Sequence, residues 1–140
     1  MYDKLASVYD HFVNWESRLA YELPFLQKEL RSLGEDVSQI RVMDTACGTG
    51  HHAIALAQLG FQVSGSDLFP EMVSLADANA RAAGTKVSFR TAGFGSINET
   101  FREPGTFNAV LCLGNSLPHV ASKTDLNRAL RDFKQLLCPG

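Results

Sequence analysis

The chain has 140 residues, 45% of them hydrophobic and 20% charged, and its 13 basic side chains against 15 acidic ones leave a net charge of -2. That length and composition suit one domain with a core of its own and exclude disorder and collagen-like repeats. No dense basic block is present, which argues against nucleic acid as the partner, and the longest apolar run, residues 109–113, is too short to cross a bilayer.

The first 35 residues are helical in pattern and rich in aromatics: Tyr2, Tyr9, Phe12, Trp15, Tyr21 and Phe25. Leu19, Leu23, Leu26, Leu30 and Leu33 recur at steps of four and three, which puts them on one helical stripe. Pro24 falls inside that stripe and predicts a kink or a fresh start; Gly34 is the expected stop. The pattern changes at Arg41. Residues 41–45 read as a short strand, ACGTG as a tight turn, residues 53–59 as a compact apolar helix ended by Gly60, and residues 61–66 as a second strand. Pro70 suits the first turn of the next helix, Glu71 complements its positive end, and Gly84 ends it. Residues 86–90 form a third predicted strand, and residues 91–106 a loop with a helical turn near 98–101. Residues 107–113 read as a fourth strand that carries an apolar run. Ser122, with Asp125 three residues on, predicts a capped helix whose face carries Leu126, Ala129, Leu130, Phe133, Leu136 and Leu137, stopped by Cys138, Pro139 and Gly140.

This order predicts an α/β fold: a doubly wound parallel sheet with flanking helices, residues 36–140, behind an N-terminal helical segment, residues 1–35. The fourth strand is apolar on both faces, like a central strand, yet no fifth follows it. Such an open edge is an aggregation hazard. The expectation is therefore the front part of a longer domain, truncated before its fifth strand, or a homo-oligomer that covers the edge. Cys47, Cys112 and Cys138 are odd in number and widely spaced, and the opening MYDKLASVYD has no apolar h-region. Both features predict reduced thiols in a cytoplasmic protein.

The strongest chemical signal is Val42-Met43-Asp44-Thr45-Ala46-Cys47-Gly48-Thr49-Gly50, a strand running into a glycine-rich turn that opens a helix. Glycines let the backbone approach a ligand, and the helix start offers unpaired N–H groups. Asp67 ends the second strand, where a carboxylate can accept both hydroxyls of a ribose. Gly48-x-Gly50-x-x-Ala53 followed by Asp67 satisfies even the dinucleotide fingerprint. Charge separates the two ligand classes. Asp44 points to where a pyrophosphate would sit, and no Lys or Arg lies between Val42 and Gln58. S-adenosylmethionine has a ribose, an ammonium and a sulfonium but no phosphate, and it suits Asp44 and Asp67 better than a nicotinamide or flavin dinucleotide does.

DTACGTG resembles the first motif of class I S-adenosylmethionine-dependent methyltransferases, VSGSDLFPEMVSLA their second-strand motif, and the final CPG the turn before their fifth strand. The resemblance covers about residues 41–140 and implies a Rossmann-like sheet. The family has Ser or a similar cap where Phe69 stands here. FNAVLCLGNSLPH is similar to a segment of the glycine and sarcosine N-methyltransferase branch. That narrower resemblance implies Asn115 and His119 as catalytic residues lining the pocket, and Leu113 as a donor contact through its backbone. It further implies that Phe94 covers the adenine and that Arg18 meets the donor carboxylate. Tyr9 and Trp15 belong to the same N-terminal segment, which is expected to fold over as a lid. The implied donor contacts are Arg18, Asp44, Ala46, Gly48, Gly50, Asp67, Leu68, Gly93, Phe94 and Leu113.

The expected reaction is methyl transfer from S-adenosylmethionine to a small-molecule acceptor, an amine such as glycine or sarcosine, leaving S-adenosylhomocysteine. Positioning and dehydration carry most of such a displacement. No metal is expected: His51 and His52 lie at a helix start without a cysteine or acid cluster at ligand spacing. Cys47 reads as a small turn residue and not as a nucleophile. Two rival readings stay open: a catalytically incomplete donor-binding fragment and a nicotinamide-dependent oxidoreductase.

Overall fold

A computed structural model describes residues 13–113 and 122–139. Among these, β1 (Arg41–Thr45), β2 (Gln62–Asp67), β3 (Ser88–Thr91) and β4 (Ala109–Cys112) form one parallel sheet in the order β3-β2-β1-β4. The helices are α1 (Trp15–Arg31), α2 (His51–Gln58), α3 (Pro70–Ala82), the short α4 (Ile97–Phe101) and α5 (Lys123–Leu136). The expected α/β sheet with flanking helices is what the chain forms.

β1 pairs with β2 on one side and β4 on the other, which makes it a central strand. Its successive residues Val42 and Met43 are both fully buried, on opposite faces. One face packs Val42, Val63 and Phe89 beneath α2 and α3, with Leu56 and Ala76. The other packs Met43 with Ile97, Phe101, Phe107 and Leu136 from α4, α5 and the segment before β4. Each large apolar side chain so placed contributes roughly 1.5–3 kcal/mol.

Three expectations shift. First, α1 runs unbroken through Pro24, so there is no fresh start. Pro24 is exposed, which confines its effect to one missing backbone hydrogen bond. α1 also ends at Arg31, ahead of Gly34, so Leu26 and Leu30 are buried while Leu33 is exposed. Second, the fourth strand is shorter than its apolar run. Phe107 leaves the ladder to bridge Leu137, donating its N–H to the Leu136 carbonyl and accepting from the Cys138 N–H. Third, the inner face of α5 carries Ala129, Asp132 and Leu136, while Leu130 and Leu137 are exposed. Asp132 turns inward because it caps α4: its carboxylate accepts from the Ile97 and Asn98 backbone N–H groups at 2.7 and 3.1 Å. The predicted cap of α5 itself is present, with Ser122 Oγ accepting from the Asp125 N–H.

Among the described residues, β4 has a strand on one side only, and all four of its residues are half-buried. Among the described residues, no helix is long and apolar enough to cross a membrane.

Candidate functional site

The carboxyl ends of β1 and β2 are joined by the glycine turn. Ala46, Gly48 and Gly50 all take positive φ, at 52°, 58° and 87°, so the chain reverses tightly before α2 starts. Three contacts clamp the turn. The Cys47 N–H donates to the Ser66 carbonyl at 2.8 Å, Thr45 Oγ1 donates to the Leu111 carbonyl at 2.6 Å, and Asn79 Nδ2 of α3 donates to the Thr49 carbonyl at 2.9 Å. The strands on both sides and the helix above therefore hold one loop.

The two glycines differ. A Cβ on Gly50 would lie 2.8 Å from Phe89 Cζ and 3.0 Å from Ala76 Cβ, and the Gly50 N–H is already bonded to the Cys47 carbonyl. Gly50 is needed for packing. A Cβ on Gly48 would meet nothing within 4 Å, so that residue borders open space.

Two carboxylates flank the open glycine. Asp67 is 8% exposed and accepts from the Gly48 N–H through Oδ2 at 2.9 Å and from the Phe69 N–H through Oδ1 at 3.0 Å. The second bond supports the start of α3, where Phe69 offers no side-chain cap and Pro70 needs none. A carboxylate has about four lone-pair positions, so each Asp67 oxygen retains capacity. Asp44 is 2% exposed and, among the described residues, takes no hydrogen bond on its carboxylate. Burial first, and the charge of Asp67 second, push Asp44 up to about 7. Burial and the same two acids push the Cys47 thiol far above its usual range, which favours its protonated form.

The Ala92 N–H donates to the Asp67 carbonyl at 2.9 Å, which carries the segment after β3 to the same place. Leu68 is exposed there, and a Cβ on Gly93 would lie 3.0 Å from its Cδ1. Phe94 packs edge-on against Phe133 of α5 at 5.7 Å. Leu113 directly follows β4, whose Cys112 is in register with Thr45. Arg18 lies on α1, its Nε 2.8 Å from Glu22 Oε1. Tyr9, Asn115 and His119 lie outside the described residues.

Sequence reasoning missed how α1 is tied to this site. Trp15 stacks on His51 at 4.4 Å, and Glu22 Oε2 is 2.9 Å from His52 Nε2. The available signal was the Arg18–Glu22 pair at i, i+4 spacing. Burial alone would raise Glu22, but its hydrogen bonds from Arg18 and His52 hold it below its ordinary value. Burial pushes His52 below its ordinary value, against the pull of the neighbouring Glu22. A cavity of about 600 Å³ opens at the amino ends of β1, β2 and β3, beside Arg41, Gln62 and Ser88. It is at the wrong end of the sheet for this chemistry, since ligands of such sheets bind beyond the carboxyl ends.

Residues 42–140 match a family model described as "Methyltransferase domain". Over 137 residues the chain is 31% identical to a glycine/sarcosine N-methyltransferase of Halorhodospira halochloris, covering 98% of this chain and 49% of that protein. It is 33% identical over 105 residues to a ubiquinone biosynthesis O-methyltransferase of Xanthomonas euvesicatoria, covering 75% and 41%. The crystal structure of a Pyrococcus horikoshii OT3 protein matches with a TM-score of 0.76 at 26% identity, covering 89% of this chain and 54% of that one. The chain spans about half the length of the curated relatives it matches.

Proposed function

The chain belongs to the methyltransferase-domain family, of the class I S-adenosylmethionine-dependent kind, and from that premise we propose that its strand-end crevice holds S-adenosylmethionine for methyl transfer to a small-molecule amine. One observation carries the reading. Two buried carboxylates flank an open glycine, and the turn's own segment has no basic residue. A pyrophosphate at Gly48 would face both charges at close range, whereas a cation relieves them. The residues fit the donor: open space at Gly48, spare acceptor capacity on Asp67, and a buried acid in Asp44 whose carboxylate takes no hydrogen bond among the described residues.

In this reading Asp67 accepts from the ribose hydroxyls while its two backbone bonds hold it still. Asp44 faces the ammonium of the methionine end, and Arg18 meets the carboxylate. The backbone of Ala46, Gly48, Gly50 and Leu113 shapes the slot, and Leu68, Gly93 and Phe94 form its adenine side. Asn115 and His119 face the acceptor, and the N-terminal segment closes over as a lid. When bound, the donor supplies a methyl group on a sulfonium, which departs as the neutral thioether of S-adenosylhomocysteine. The chain's work is to hold, align and dry the reactants. An amine sheds its proton to solvent before binding, so carboxylates and backbone suffice.

The likeness to the Halorhodospira protein favours glycine or sarcosine as acceptor, and the likeness to the Xanthomonas protein makes a hydroxyl the competing nucleophile. The same reading places the protein in the cytoplasm, acting on small molecules and not on nucleic acid, with the β4 edge available to a second copy. Because the chain spans about half of its relatives' length, donor binding without turnover is the second reading. Isothermal titration with S-adenosylhomocysteine, followed by a transfer assay on glycine and sarcosine, separates them. Methylated product supports the proposal, and saturable binding without product supports the second reading. Heat with NADH and none with the adenosyl ligand would overturn both.

A further inference from the structure

We infer that the amino-terminal half of α1 is a strap closed onto α2 by a clasp, Glu22 against His52, and that acid opens it. The clasp belongs to the chain itself and does not depend on the donor reading above.

α1 is held differently along its length. Past Pro24, Leu26 and Leu30 are buried, and Leu30 joins the main core. Ahead of Pro24 no residue of α1 is buried; Trp15, Arg18, Leu19 and Glu22 are half-buried. The ties of this half to α2 include a ring stack and a carboxylate contact. Trp15 lies on His51 at 4.4 Å and an angle of 17° and meets His52 edge-on at 5.7 Å, and Glu22 Oε2 is 2.9 Å from His52 Nε2. Between the halves, Pro24 has no N–H to give the Ala20 carbonyl, so the helix is one bond short where the two kinds of contact meet. Buried leucines fix the far half at any pH, whereas a contact that depends on charge can be let go.

His52 is where the proton enters. It is 6% exposed and sits in the first turn of α2, two residues beyond Gly50. Glu22 and Arg18 face it from α1, and His51 from α2 itself. Burial pushes it below its ordinary value, Arg18 and His51 push the same way, and Glu22 pulls against them. With the strap open, His52 meets water and takes a proton near its ordinary 6.5. The open form therefore binds the proton first, so the closed form is favoured above that pH and loses ground as pH falls through it. Burial would raise Glu22, but its bonds from Arg18 and His52 hold it below its ordinary 4.5, so its protonation at lower pH acts in the same direction. Opening frees the first turn of α2, directly after the glycine turn.

Trp15 is the chain's one tryptophan, so its fluorescence reads the strap without a label. In the full chain, acrylamide quenching of Trp15 should rise about threefold as pH falls from about 7.5 to about 5.5, while far-ultraviolet circular dichroism stays unchanged. His52→Gln, whose amide still donates to Glu22 and takes no proton in this range, should keep quenching low and level across the window. Glu22→Gln leaves an acceptor but removes the charge that offsets a proton on His52, so the rise should move to higher pH. That variant reads the clasp from its other side if His52→Gln does not fold. A flat wild-type profile, or a rise that coincides with loss of the dichroism signal, would overturn the clasp. So would an unshifted rise in Glu22→Gln, or an acid rise retained in folded His52→Gln, which would assign the proton to His51 against the Trp15 ring.

Discussion

Among the described residues, two places bury acidic side chains, and they treat them in opposite ways. At the junction of α4 and α5, Asp132 is 5% exposed and its carboxylate takes three N–H donors: Ile97 N, Asn98 N and Asn98 Nδ2. At the ends of β1 and β2, Asp67 takes two donors and borders open space, and Asp44 takes none among the described residues. Burying a charge is costly unless it is bonded. Asp132 meets that cost within the fold, so its role is architectural. Asp44 leaves it unmet, which is the condition a cationic ligand relieves. Burial therefore separates neither class; the number of donors does.

This contrast can be broken at four points. The largest expected effect is on binding. Asp67→Ala should lower S-adenosylhomocysteine affinity about a hundredfold, roughly 3 kcal/mol, by calorimetric titration, because two hydroxyls lose a charged acceptor. Unchanged affinity would make Asp67 a second Asp132. Next, Asp132→Ala should destabilise the chain by roughly 2–3 kcal/mol in urea unfolding, because two helix N–H groups lose their acceptor, and should leave adenosyl-ligand affinity unaltered. A loss of binding in a folded variant would erase the distinction.

The third effect is on pH dependence. Asp44 binds its proton more tightly in the folded chain than at its ordinary value of 3.8, so it favours folding at low pH. That contribution is lost as pH rises from 3.8 to about 7 and is level above it. Asp44→Asn should gain on the wild type across that window in thermal melts. The ionised acid is the form that attracts a cation, so S-adenosylmethionine binding should strengthen about tenfold from roughly pH 6 to roughly pH 8, and Asp44→Asn should lack that increment. Parallel profiles would deny Asp44 a ligand role. The smallest effect is at Gly48, where alanine should cost only about 1 kcal/mol of stability for its left-handed φ, yet should crowd the crevice and weaken the adenosyl ligand. If binding stayed intact, the open space beside Gly48 would not be the donor's.

Much of this was legible in the chain. The strand-turn-helix at Asp44–Gly50 follows from an apolar run broken by glycines, and Asp67 from the end of the next run. Other features were not legible. Leu130 looked as buried as Leu136, because periodicity counts apolar residues and cannot know that α4 needs a capping acid from Asp132. His51 and His52 could be weighed against metal, but Glu22, thirty positions from His52, carried no sign of its partner beyond its spacing from Arg18. Of the kink or fresh start that Pro24 predicts, the fresh start is absent: α1 runs on through Pro24, which is exposed, and its leucine stripe continues on both sides.

The succession of elements and the glycine bend follow from the residue order alone, since periodicity and backbone φ preference act between near neighbours. That Gly50 is packed while Gly48 stands open, that Asp67 grips the turn, and that Glu22 joins Arg18 to His52 emerge from the folded arrangement. Each of those depends on atoms that are distant along the chain and meet only after the sheet has been assembled.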